Sequence, residues 1–409
     1  MLALALRNKT EQVHRAATQA SVEMTKLSGE AIEHLQNLKA VKAYAAQNRD
    51  IAMFSRSIMK ASGSLIDTQK HAAATSFWWE GGSLMMMLAI LYFALTFHSS
   101  SPAIAFLLLA VFARMVPKLS ALNASLQSVI GNLPAHTRME AAIAELTAAA
   151  ESIESPNVQL SLRKSLTFEN VSFRFSPHGR KILDEISLTI PVGQIVGIVG
   201  PSGAGKSTLA DIVMGLLNPS SGRIMLDETE LSPSLVHAWR TNIGYVAQDT
   251  VLFHDSVRAN LLWAKPDATE DEMHEALSLT AAKFVMQSSN GLETVVGERG
   301  MLLSHGERQR LALARAMLRK PSMLILDEAT NNLDGESERR VMESVVRLRK
   351  SVTILIIAHR LSTIRAADVI YVLESGQVVE QGTWEALMNR GGGRFRELYE
   401  VQNETFPSR

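Results

Sequence analysis

The 409 residues contain no cysteine, which excludes disulfides, thiol catalysis and cysteine-held metals. Charge of one sign is also missing. Forty-one Lys plus Arg face 41 Asp plus Glu, so the balance gives no support for a nucleic-acid partner. Aromatic residues make up only 6%, but 18 methionines and an apolar fraction of 46% are enough for a membrane part beside a globular core. Met1–Leu6 is apolar but too short for a secretory core, and no small-residue cleavage site follows it. It reads as the tail of an apolar helix. The length predicts two or three domains.

The feature that organises the chain is Gly200-Pro201-Ser202-Gly203-Ala204-Gly205-Lys206-Ser207-Thr208. An apolar, β-branched run, 194–199, precedes it and reads as a buried strand. Leu209–Leu217 follows with helical spacing. Strand, glycine loop and helix are the context that G-x-x-x-x-G-K-[ST] requires of a phosphate-binding loop. Backbone N–H groups of the loop face phosphate oxygens, and the helix N-terminus adds its positive dipole end. Lys206 supplies a charge for the β- and γ-phosphates, and the Ser207 hydroxyl is placed for Mg²⁺. The expected ligand is a nucleoside triphosphate with Mg²⁺.

Upstream, residues 7–76 hold no proline and ten Lys or Arg, and read as long helix. Ile32, Leu35, Leu38, Val41 and Tyr44 recur every third residue, a spacing that marks a break or a short turn of helix. Phe77–Phe97 is 21 residues with one charge, Glu80, about the length that spans a hydrocarbon core of roughly 30 Å. A short polar turn follows, then Pro102–Leu122, which carries Arg114, Pro117 and Lys118. Basic residues flank the pair and none lies in the turn. The positive-inside rule therefore predicts a membrane hairpin with both ends cytoplasmic; a pair of buried soluble helices is the alternative. Gly131 and Pro134 are expected to interrupt the helix beyond. The domains expected are 1–154, a partial transmembrane domain; 155–164, a linker; and 165–409, an α/β P-loop ATPase domain with a helical subdomain.

Downstream, Leu166–Phe175, Ile186–Ile190, Ser322–Leu326 and Val352–Ile357 read as strands, the last two as central parallel strands. Asp327 and Glu328 close one of them. Asp327 is placed to hold Mg²⁺, and Glu328 to orient or deprotonate the attacking water. Adjacent carboxylates at a strand end also occur in solvated turns, and their value here lies in pairing with the glycine loop. His359 ends the next strand and is expected at a γ-phosphate.

Taken together, these residues resemble the ATP-binding cassette family. Leu303-Ser304-His305-Gly306-Glu307 resembles its signature L-S-G-G-Q. Gln248 matches the glutamine that touches magnesium, and Leu333-Asp334 the dimer-contact loop. His359 matches the switch histidine, and Phe175 the aromatic that stacks on adenine. The resemblance implies that Lys206, Gln248, Glu328 and His359 are catalytic, that Ser207, Gln248 and Asp327 hold metal, and that Ser304, Gly306 and Asp334 complete the ATP site of a second subunit, identical or not. His305 in place of glycine is expected to crowd that nucleotide, or to donate to it when protonated; Glu307 stands where glutamine is usual.

The upstream half is similar to the exporter subclass, with Leu38–Ala46 resembling a coupling helix and the two apolar runs its last crossings. Such an exporter half has more crossings, so either this chain is truncated at its amino end or another polypeptide supplies the rest. The implied function is ATP-driven export from a bacterial inner membrane, with the ATPase domain cytoplasmic. The alternatives are a regulatory, non-transporting subunit and a soluble cassette ATPase acting on a macromolecule.

Overall fold

The computed structural model describes residues 2–97, 102–150, 160–330, 333, 335–349 and 351–405. It divides into two compact units, Met1–Glu151 and Ser152–Arg409.

The first unit is helical: α1 (Leu2–Gln36), α2 (Leu38–Ala43), α3 (Gln47–Phe97) and α4 (Pro102–Ala148). The every-third-residue spacing around Leu38 coincides with a real elbow. α2 is only six residues long, and Ala45, just beyond it, has φ 50°. His34 Nδ1 lies 2.7 Å from Asp50 Oδ1, tying the end of α1 to the start of α3 across the elbow. α1 packs on α3 and α4 through small side chains, Val13, Ala17, Ala20 and Ala61, which let the helix axes approach closely. Lys60 pairs with Glu23 at 2.9 Å, and Arg138 donates to Ser21 Oγ at 3.0 Å.

The expected interruption at Gly131 and Pro134 is not found. α4 runs as one helix through both Pro117 and Pro134. Each proline removes one N–H from a ladder 47 residues long, a local loss that the rest of the helix and its packing outweigh. Among the described residues no helix is long and apolar enough to cross a membrane. The expected crossings Phe77–Phe97 and Pro102–Leu122 fall within α3 and α4, but their turn, 98–101, lies outside the described residues. Large apolar side chains on these helices are nevertheless open: Trp78, Met85, Tyr92, Phe93, Phe106 and Leu107 are each at least 63% exposed.

The second unit holds two sheets. The smaller is antiparallel, in the order β2 (Leu183–Pro191), β1 (Ser165–Phe173), β4 (Ser221–Leu226), β5 (Thr229–Glu230). The larger has the order β10 (Gln377–Gly382), β9 (Val369–Glu374), β3 (Ile195–Val199), β8 (Thr353–Ile357), β7 (Met323–Asp327), β6 (Ile243–Val246), parallel except for β10. β3 and β8 are buried at every residue, and β7 at all but Asp327, as expected of strands covered on both faces. Ile195, Ile198, Leu324, Ile325, Ile354 and Ile357 have no exposed surface. Each contributes roughly 1.5–3 kcal/mol on burial, which fixes the strand ends against one another. The parallel register sets Ile198 beside Ile357, Ile357 beside Asp327, and Leu326 beside Val246. The carboxyl ends of β3, β8, β7 and β6 therefore open on one edge, where ligands bind in sheets of this type.

Candidate nucleotide site

The glycine loop leaves β3 at Gly200 and feeds α5 (Lys206–Val213). Two of its glycines are required by shape. Gly205 is the N-cap at φ +100°, and a Cβ there would stand 2.6 Å from Leu183 Cδ2; a Cβ on Gly200 would meet Leu373 O at 2.0 Å. The loop thus turns against its own domain and leaves Ser202, Gly203 and Ser207 exposed on the other side. Pro201 and Thr208 are half-buried, and Ala204 is buried beneath them. Lys206 is 4% exposed, and its ammonium donates to Gly200 O at 2.9 Å and Pro201 O at 3.0 Å. Burial holds its pKa below the usual lysine range, while the nearby charges of Glu328 and Asp327 act in the opposite direction.

The two adjacent carboxylates do different things. Asp327 ends β7; burial, with the charge of Glu328 adding to it, pushes its pKa up to about 6. Its Oδ2 accepts from the Tyr245 hydroxyl at 3.4 Å, while Oδ1 is buried with no partner. A buried carboxylate oxygen left open beside a phosphate loop fits a cation or a cation-bound water. Among the described residues no group of three or more His, Asp or Glu could hold a metal.

Glu328 is buried and sits at φ 51°, a left-handed conformation that costs of order 1–3 kcal/mol in a non-glycine residue. Its backbone N–H is held by Ile357 O at 2.9 Å. The turn aims its side chain at the next strand, where Oε1 meets His359 Nε2 at 2.6 Å. Burial and the Lys206 charge depress the His359 pKa, although Glu328 opposes them. Nε2 faces a carboxylate oxygen and is the donor of that pair.

The structure brings Lys206, Asp327, Glu328 and His359 to one edge. Gln248 lies exposed two residues beyond β6, the strand next to β7. Phe175 follows β1 with its ring 71% exposed, edge-to-face on Phe173 at 5.0 Å. The expected contact Asp334 lies outside the described residues, as do Asn331 and Asn332. Tyr245, which the sequence reading passed over, belongs to the site through Asp327. Burial and the neighbouring Asp327 charge raise its pKa to about 12, so it stays a hydrogen-bond donor.

The signature segment forms the start of a helix, His305–Leu318. Ser304 is its N-cap. Its Oγ accepts from Glu307 N at 3.3 Å, and Glu307 Oε2 accepts from Ser304 N at 2.8 Å. Glu307, read from sequence as a departure from glutamine, is thus half of a capping box, with its charge at the favourable end of the helix dipole. Gly306 is buried, and a Cβ there would stand 3.0 Å from Ser337 Oγ. The His305 ring folds back on its own helix. Nδ1 lies 2.9 Å from Arg308 Nη2, a group that only donates, so the proton is on Nε2. Burial and the Arg308 charge lower its pKa, which opposes the protonated form considered from sequence.

A strand–glycine-loop–helix with a carboxylate pair and a histidine on the flanking strands, plus a separate capped signature helix, defines a cassette-type P-loop ATPase domain. Comparison with known proteins agrees. The family described as ABC transporter matches residues 183–331. The ATP-dependent lipid A-core flippase of Chromobacterium violaceum is 34% identical over 390 residues, covering 93% of this chain and 66% of the flippase. The mitochondrial potassium channel ATP-binding subunit of Xenopus tropicalis is 34% identical over 96% of this chain and 57% of its own length. A solved bacterial Atm1-family ABC exporter with ATP bound is 28% identical with a TM-score of 0.86, over 98% of this chain and 71% of the exporter. The chain belongs to the ATP-binding cassette transporter family. It spans between half and two thirds of the length of these two curated relatives.

Proposed function

We propose that the chain is the ATP-binding and ATP-hydrolysing part of an exporter-type cassette subunit. The observation that carries this reading is the convergence of Lys206, Asp327, Glu328 and His359 around the loop 200–208. In this reading the loop N–H groups and Lys206 bind the triphosphate, and Lys206 exchanges its own-loop carbonyls for β- and γ-phosphate oxygens. Phe175 offers its open ring face to the adenine. Ser207, Asp327 and Gln248 are the residues that would hold Mg²⁺, which when bound neutralises phosphate charge. Glu328 accepts a proton from, or orients, the attacking water, and His359 contacts the γ-phosphate once its ring leaves Glu328.

Ser304 and Gly306 would face the nucleotide of a second cassette subunit, with Asp334 in the contact loop, so that ATP closes the pair and hydrolysis reopens it. The open apolar side chains of α3 and α4 support a lipid-facing or helix-facing role for that region in an integral membrane protein, and the basic residues flanking the apolar pair support an ATPase domain on the cytoplasmic side. The relatives' names cover different cargoes, and the reading stops at export of an unspecified substrate.

The test is a pair of assays on the full chain. Membranes washed in high salt should retain it, and the detergent-purified protein should release phosphate from ATP only with Mg²⁺ and not after Lys206→Ala. Release into the soluble fraction would remove the membrane half of the proposal. Absence of Mg²⁺-dependent hydrolysis would remove the enzymatic half.

A further inference from the structure

The helix Arg394–Thr405 closes the described chain, and nothing in the cassette motifs refers to it. Its start is held firmly. Glu380, on β10, accepts from Arg394 N with one carboxylate oxygen and from Phe395 N with the other, both at 3.0 Å. Phe395 has no exposed surface, and Trp384 packs edge-on against both Phe395 at 5.2 Å and Tyr399 at 5.6 Å. Gln402 lies seven residues beyond Phe395, two turns along the same face.

There its side-chain amide makes two bonds to the backbone that carries the histidine. Gln402 Oε1 accepts from Leu361 N at 3.0 Å, and Gln402 Nε2 donates to His359 O. One planar amide thus spans the residues on either side of Arg360. Arg360 is itself drawn the other way, Nη1 to Glu338 Oε2 at 3.0 Å, and Ser362 Oγ donates to the same carboxylate at 3.2 Å. The turn after β8 is therefore gripped from two sides. From this turn the His359 ring reaches Glu328 Oε1.

We propose that Gln402 is a positioning residue for the reaction: the closing helix sets the place of His359 relative to Glu328 through that one amide. This rests on the ATPase reading above. His359 contributes only from the right spot, because a displacement of about 1 Å at a reacting centre is enough to cost up to about a hundredfold in rate.

The experiment compares the full chain with Gln402→Met, which keeps the length, packing volume and helix propensity of the side chain but has no amide, and with Gln402→Ala. Hydrogen exchange of the peptide spanning 359–364 reads the clamp without reference to activity, and should quicken about tenfold in both variants. Turnover should fall about tenfold, with KM and the affinity for a fluorescent ATP analogue unchanged within twofold. Unchanged exchange in Gln402→Met overturns the clamp. Wild-type turnover in Gln402→Met with slow turnover in Gln402→Ala assigns the residue to packing and also overturns it, as does a loss of nucleotide affinity that matches the loss of turnover. If the unsubstituted chain hydrolyses no ATP while exchange responds, the ATPase reading falls, and the positioning role falls with it.

Discussion

Replacing Glu328 by glutamine probes the site most sharply, because the two side chains share a shape and differ in one charge. Glu328 is buried, held in a left-handed turn by its own N–H to Ile357 O, and aimed at His359 Nε2. The backbone contributes most of that geometry, so the amide should occupy the same place. What disappears is the proposed base. General-base assistance is worth about 10²–10⁴-fold, or about 3–5.5 kcal/mol of barrier, and kcat should fall by that factor. Binding should not. The charge of Glu328 helps to raise the Asp327 pKa, so its removal leaves Asp327 more fully ionised at neutral pH and no worse a partner for a cation. ATP affinity with Mg²⁺ should stay within about threefold of wild type or improve. Single-turnover hydrolysis and equilibrium nucleotide binding on the same preparation separate the two effects. A variant that turns over within tenfold of wild type, or that loses affinity as much as rate, would refute the assignment.

Three further outcomes follow from the same geometry. Asp327 has a folded pKa of about 6 against a reference of 3.8; a raised carboxyl pKa stabilises the fold at low pH and loses that contribution as pH rises through 6. Asp327→Asn should therefore stabilise the nucleotide-free chain at pH 7.5 by about 1 kcal/mol once solvent screening is allowed for, seen as a higher melting temperature, and the gain should shrink in melts at pH 5. Gly205→Ala places a Cβ 2.6 Å from Leu183 Cδ2 at φ +100°, at a cost of about 1–3 kcal/mol, and should abolish nucleotide binding measured by fluorescence. Phe395→Ala empties a fully buried position at about 3–5 kcal/mol, and calorimetry should show the ATPase unit melting roughly 6–20 °C lower.

The phosphate loop was legible because its chemistry is local: glycines, lysine and serine must follow one another to wrap a phosphate, so nine adjacent residues carry the message. The placing of Glu328 and His359 on one edge was legible one step further out, since continuous apolar runs imply parallel central strands and each residue stands at a strand's carboxyl end; their direct contact was not, because His359 was expected at a γ-phosphate. Other features depend on pairs far apart in the chain. The Tyr245–Asp327 bond follows from β6 lying beside β7, and Gln402 reaches a turn 43 residues away. The capping box was readable as well, because Ser304-x-x-Glu307 is a local pattern at the start of a helix. The fate of His305 turned on Arg308, one helical turn later, whose guanidinium takes Nδ1 and turns the ring back on its helix. The break expected at Gly131 and Pro134 rested on a local rule, and α4 runs through both.

The central claim is that ATP is shared between two cassette subunits, each giving its glycine loop to one nucleotide and its Ser304 segment to the other. Native mass spectrometry of the detergent-solubilised Glu328→Gln chain with Mg²⁺ and ATP measures this directly. The account predicts a species of two chains carrying two nucleotides, which disappears when Lys206→Ala is added. Single chains with nucleotide bound, or paired chains that carry none, would contradict it.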